Sequence, residues 1–187
     1  MRIISQQDRF AILSSHRLWI ESQFTQGYQA DFRDADLSRL NLSRSDLRWA
    51  ILSGANFADC NLSESCLFKA DLRSANLART NLSKAIFREA DLTGAYLYKA
   101  NVRESNFSAS NLTQAIVCEA DFTRVDFRGA IMVGTNLENA CLVAADFREA
   151  NLSSANFQHT DLRDADFRGT DVSTSYFAWA DLRGAMR

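Results

Sequence analysis

From Ala30 onward, every fifth residue of this 187-residue chain is apolar and almost always large, and the pattern never skips. The 31 positions numbered in 2 or 7, from Phe32 to Leu182, hold 17 Leu, 10 Phe, 3 Val and 1 Met. Two residues earlier, from Ala30 to Ala180, the 31 positions hold 19 Ala, 5 Ser and 4 Thr, with Leu40, Cys60 and Val125 as exceptions. The residue between them is Asp 12 times and Asn 11 times. The unit is therefore small, Asp/Asn, Leu/Phe, then two variable residues.

Neither ordinary element accommodates a period of five. On an α-helix five residues advance about 500°, so the large side chains would visit every face. On a flat strand an odd period sends successive Leu/Phe residues to opposite sides. One core requires the chain to turn between repeats, so each pentapeptide is one side of a coil. Its Leu/Phe and its small residue point inward, because a narrow interior takes one large side chain per side only beside a small one.

The run Ala-Asp-Leu-Arg-Ser-Ala-Asn-Leu-Ala-Arg at 70–79 resembles the pentapeptide-repeat family, as does Ala-Asp-Phe-Arg-Glu-Ala-Asn-Leu-Ser-Ser at 145–154. The resemblance covers residues 30 to 187. It implies an all-β solenoid, a right-handed quadrilateral β-helix with four repeats per coil. On that geometry 31 repeats make about eight coils, a rod roughly 37 Å long at the ~4.8 Å spacing of paired strands.

Residues 1–29 lack the repeat and form a separate unit ahead of the solenoid at 30–187. Ser5 with Asp8 three residues on resembles a capping box. Phe10, Leu13, Ile20 and Phe24 fall near one helical face with Trp19 beside them, and Gly27 fits a C′ residue. These signals predict a capping α-helix over about 5–25, covering the first coil and its unpaired edges.

Composition narrows the function. The net charge is −2, from 21 basic and 23 acidic residues. That balance lacks the basic excess of nucleic-acid binders. No apolar run approaches the ~20 residues that span a bilayer. The N-terminus turns polar too soon for a secretory signal, so a cytoplasmic protein without membrane contact is expected. Cys60, Cys66, Cys118 and Cys141 show no metal-ligand spacing and read as free thiols. His16 and His159, the only histidines, lie too far apart to share a site. No phosphate loop or nucleophile motif is present. The expectation is no enzyme and no cofactor.

Positions 20 apart should stack, giving four faces that start at Asp31, Asp36, Asn41 and Asp46. On the fourth, Arg48, Lys69, Arg88, Arg128, Arg148 and Arg168 meet Asp46, Glu89, Asp126, Asp146, Glu149 and Asp166, a neutralised ladder. The third face balances in the same way. The first, net −3, carries no outward charge between Thr93 and Ser154 and presents Ile131 and Val133 there. The second, net −1, presents Tyr96, Tyr98, Ile116 and Cys118 on two successive coils, where Asp/Asn or small polar residues are usual. Clustered exposed aromatics on a weakly charged surface point to a protein-binding patch. At the other end Phe177, Trp179 and Met186 lie in a last coil that no helix covers, a candidate for weak tail-to-tail homodimerisation.

Two functions follow. One is a rigid, non-catalytic scaffold for protein–protein interaction, with a regulatory role. The alternative is inhibition of a type II topoisomerase (gyrase) by mimicry of duplex DNA, as in the quinolone-resistance branch of the family. Those relatives are strongly acidic, often carry projecting loops and dimerise through a C-terminal module. This chain shows none of these. Long uninterrupted solenoids with an N-terminal helix resemble those abundant in cyanobacteria.

Overall fold

The computed structural model of the chain describes residues 2–187. Asp31 pairs with Ile51, Asp36 with Asn56, Asn41 with Asn61 and Asp46 with Cys66, all parallel and all 20 residues apart. The register holds to the pair Asp166 and Met186, with no partner for Asn151 at Asp171. Four pentapeptides thus complete one coil.

The hydrogen bonds of one repeat account for all five of its amides. The Leu72 amide donates to Asp91 O in the next coil at 2.7 Å, and Ser74 to Thr93 O at 2.9 Å. Asn76 donates back to Ala55 O at 2.9 Å, and Ala75 closes the turn onto Leu72 O at 3.0 Å. The fifth amide, Arg73, is taken by the Asp71 side chain at 3.2 Å. The bond across four residues, with its third residue at positive φ, has the pattern of a type II turn. At that third position 24 non-glycine residues and 6 glycines between Asp34 and Gly184 have positive φ, leaving Thr174 as the exception. Each non-glycine there costs about 1–2 kcal/mol, so the bonds between coils must offset a strain that recurs every five residues.

Because a turn follows so soon, a side usually meets its neighbour through one paired residue. The only longer pairing among the described residues joins β1 (Arg2–Ile3) to β2 (Ala35–Asp36), in parallel. The all-β expectation is therefore realised as a stack of short bridges.

The interior follows the five-residue pattern. Leu/Phe positions are buried from Leu47 to Phe167, and partial exposure is confined to Leu42 near one end and Val172, Phe177 and Leu182 at the other. Phe87, Phe107, Phe127, Phe147 and Phe167 form the expected internal column, with successive ring centroids 4.4, 5.5, 5.2 and 5.0 Å apart.

Helix α1 spans Gln6–Glu21, with the Ser5 hydroxyl accepting from the Asp8 amide. It ends earlier than expected because Gln23 and Phe24 turn into positive φ. Gly27 is not its C′ residue. A Cβ there would overlap the Ser15 carbonyl and press on the Trp19 amide, so Gly27 lets the returning chain lie against the helix. The helix packs on the core through Ile12 and Leu13, with Ile4 ahead of it. Phe10, expected on that face, is 73% exposed. His16 replaces it at the contact, fully buried, its Nδ1 accepting from the Ala30 amide at 3.0 Å. The void left between helix and first coil, lined by Leu13, Phe32, Leu37 and Leu42, is about 10 Å³, at or below the room one water needs. Among the described residues no helix is long and apolar enough to cross a membrane.

Candidate binding surface on the second face

The Asp/Asn position explains what is unusual here. All 23 Asp and Asn residues of the repeat accept from the amide two residues on, forming Asx turns. Asn also links coils. Asn56 donates to Asp36 at 3.0 Å and Asn76 to Asn56 at 2.9 Å, up the second face. Tyr96 and Ile116 then take two successive places in that ladder, and it resumes with Asn156 donating to Asn136 at 3.2 Å.

The replacement has two consequences. Apolar surface appears, since Tyr96 is 39% and Ile116 42% exposed. The amides of Tyr98 and Cys118 lose their Asx acceptor and have no partner among the described residues. The Tyr96 and Tyr98 rings are nearly parallel, with centroids 6.0 Å apart. Tyr98 donates its hydroxyl to Glu119 at 3.2 Å, and the Lys99 ammonium lies 5.0 Å from its ring and 3.3 Å from Glu119. The tyrosines are thus held in place by a neutral ion pair at the patch edge. The backbone beneath is undisturbed: Leu97 and Val117 keep their bonds to the next coil and are fully buried.

The other expected residues separate. Ile131 and Val133 lie on the first face, where Ile131 stands between Asn111 and Asn151. There they form a single interruption of the Asn positions, on a different face from Tyr96 and Ile116. At the C-terminal end only Phe177 belongs to the open core, with Val172 and Leu182. Trp179, in the last coil, stacks on His159 of the coil before it at 4.7 Å and is 76% exposed, and Met186, paired with Asp166 of the coil before, is 43% exposed.

Two of the thiols, Cys60 and Cys118, are not poised for reaction. Burial, with Glu138 nearby, raises Cys118, whose Sγ lies 3.8 Å from Asn136 O. Burial pushes Cys60 up to about 11. No group of three or more His, Cys, Asp or Glu among the described residues could hold a metal ion. On the fourth face Arg128 forks Asp126 at 2.9 and 2.8 Å and reaches Asp146 at 3.7 Å. Arg148 repeats the pattern with Asp146 and Asp166, and the Arg168 fork holds Asp166 down to about 2.

A row of aromatics runs from the helix onto the second coil, and the sequence pattern did not reveal it. Trp19, Phe24, Trp49 and Phe68 follow one another with centroids 4.5, 5.1 and 5.6 Å apart. The signal available was two aromatics at variable positions, Trp49 and Phe68, on adjacent coils of one face.

A family model described as pentapeptide repeats matches the chain in eight copies, over residues 30–67, 65–103, 105–142, 131–169 and 145–184. Among solved structures, a trypsin-treated variant of QnrB1, a plasmid-mediated fluoroquinolone resistance protein, is similar at 23% identity and TM-score 0.64. That match covers 82% of this chain and 79% of the other. HetL, a pentapeptide repeat protein involved in heterocyst differentiation regulation from the cyanobacterium Nostoc sp. strain PCC 7120, is 25% identical. The match covers 91% of this chain and 92% of HetL, with a TM-score of 0.33. No curated protein matches the chain.

Proposed function

The chain belongs to the pentapeptide-repeat family, and from that premise we propose that it is a non-catalytic scaffold whose second face binds another protein. The observation that carries this reading is the double break in the Asn ladder. Two successive coils exchange a polar, self-satisfied position for Tyr96 and Ile116, exposing apolar surface and two amide donors at once. Aromatic side chains on an otherwise weakly charged surface are where binding energy concentrates. In the same reading the coil is right-handed, the N-terminal helix caps the rod, and the protein acts in the cytoplasm without nucleic acid. Mimicry of DNA toward gyrase would need a coherent acidic face, and the pairing of Asp126, Asp146 and Asp166 with arginines weighs against it.

A photo-crosslinking residue in place of Tyr96 tests the proposal in the source cell. It should trap a discrete protein adduct that the same residue in place of Ser83, on the third face, does not trap. Adducts equal at both positions would refute it. Purified protein should leave gyrase supercoiling unaffected at low micromolar concentration, and clear inhibition would favour DNA mimicry. Weak tail-to-tail pairing through Phe177, Trp179 and Met186 should appear in sedimentation across a concentration series. A strict monomer would remove it.

A further inference from the structure

The fourth face carries a second double interruption, and its charge differs from the first. Cys66 and Ile86 occupy successive Asp/Asn positions, paired with each other across coils. The amides of Phe68 and Arg88 therefore have no acceptor among the described residues, and they sit one coil apart, about 4.8 Å. Phe68 packs edge-on against Trp49. Above its ring lie the Lys69 ammonium at 5.2 Å and the Arg88 guanidinium at 6.0 Å.

Both of these cations turn to one carboxylate. Lys69 reaches Glu89 at 3.3 Å and Arg88 reaches it at 3.6 Å. Elsewhere on this face each arginine of the Asp-Phe-Arg units has an aspartate two residues before it, as Arg128 has Asp126. Arg88 has Ile86 there instead. The stretch thus combines one surplus positive charge, two outward amide donors and an aromatic surface.

We propose that this stretch docks a short acidic segment of a partner protein, with a carboxylate against the Phe68 and Arg88 amides. That carboxylate would fill the role that Asp126 Oδ1 plays for the Arg128 amide at 3.0 Å. An ionised carboxylate is acceptor-only and offers two oxygens, which suits two parallel donors. Lys69 and Arg88 balance the charge of the flanking acidic residues, and an apolar residue of the segment rests on Phe68 and Trp49. A nucleic-acid strand also offers acceptors, but its charge continues along the backbone. Beyond Glu89 it would meet Asp126, Asp146 and Asp166, each already paired. The surplus is local, so the occupant is short.

Fluorescence polarisation with a labelled peptide, Glu-Asp-Glu-Leu-Asp-Glu, tests the inference on the full chain. Saturable binding that weakens with salt is expected. The decisive variant is Cys66→Asn with Ile86→Asn. It restores the regular repeat and keeps the net charge, so folding is retained while the amides gain internal acceptors. Binding should weaken at least tenfold, and Lys69→Gln should weaken it several-fold. Tyr96→Asn with Ile116→Asn should leave it unchanged, which separates this surface from the one proposed on the second face. No saturable binding below roughly 1 mM, or equal binding by the Cys66/Ile86 variant, would overturn the inference. So would tighter binding of a single-stranded 12-nucleotide DNA than of the peptide.

Discussion

From Asn41 to Asn101 the third face passes a hydrogen bond from one side-chain amide to the next on every coil. On the second face the same chain stops at Asn76 and resumes only at Asn136. The interior does not register the difference. Leu82, inside the unbroken ladder, and Leu97, inside the break, are both fully buried and both bonded to the next coil at 2.7 Å. Folding therefore depends on the inward residues and the backbone ladder, and the outward Asp/Asn position is free to be given up. Where it is given up twice in succession, the protein gains apolar area and free donors at the cost of two Asx turns.

The first way to break this comparison is to cut the interior on both sides of it. Leu82→Ala and Leu97→Ala should each cost about 2–5 kcal/mol, and by closely similar amounts, measured as the shift in chemical denaturation. A much cheaper Leu97 substitution would mean that the break reaches the core.

A second test acts on the ladders. Asn81 accepts from the Ser83 amide, the Ser83 hydroxyl and Asn101, and donates to Asn61. Asn81→Ala should destabilise by about 1–2 kcal/mol, the usual effect of stranding partly buried partners. Ile116→Asn should not destabilise and should raise the melting temperature slightly, since it supplies the Cys118 amide with an acceptor.

The smallest effect concerns where the rod opens first. Amide exchange should be faster in residues 172–186, where Val172, Phe177 and Leu182 are only partly buried, than in the fully buried coils. The bonded amides of Leu97 and Val117 should exchange as slowly as that of Leu82. The helix adds a pH dependence. Burial lowers His16 from its usual value near 6.5, although Asp46 acts in the opposite sense and Arg48 reinforces the lowering. An undocked helix would bind the proton more readily, so docking is fully stable above about 6.5 and weakens as the pH falls below it. Protonation would also place a second hydrogen against the Ala30 amide. Protection of the Ala30 amide, its exchange relative to the intrinsic rate at each pH, should fall below pH 6.5, and His16→Gln should flatten that dependence. Unchanged Ala30 protection down to pH 5 would show that His16 does not pin the helix.

Much of this was legible in the sequence. The five-residue period assigns inside and outside to every residue from Ala30 onward, and the internal Phe column follows from counting by 20. The Tyr96 and Ile116 patch was legible because it breaks a consensus. The helix was less so. A periodicity of 3.6 did not distinguish Phe10 from His16, because the face that packs is chosen by the coil beneath it. Gly27 looked like a terminator, although its role is close approach to Ser15 and Trp19. The Trp49 and Phe68 row is not legible because variable positions ordinarily face solvent, and its other members, Trp19 in the helix and Phe24 in the turn after it, join by long-range contact. Trp179 in the last coil was legible from counting by 20, and its stacking on His159 of the coil before leaves it 76% exposed.

The most direct measurement restores the second-face ladder and asks what is lost. Tyr96→Asn with Ile116→Asn, purified beside the parent chain, would be melted and then used to capture partners from the source cell. The account predicts a melting temperature equal to or above the parent's, together with loss of the protein that the parent crosslinks through position 96. A restored ladder that still captures that protein with equal yield would contradict it, as would a variant that melts well below the parent.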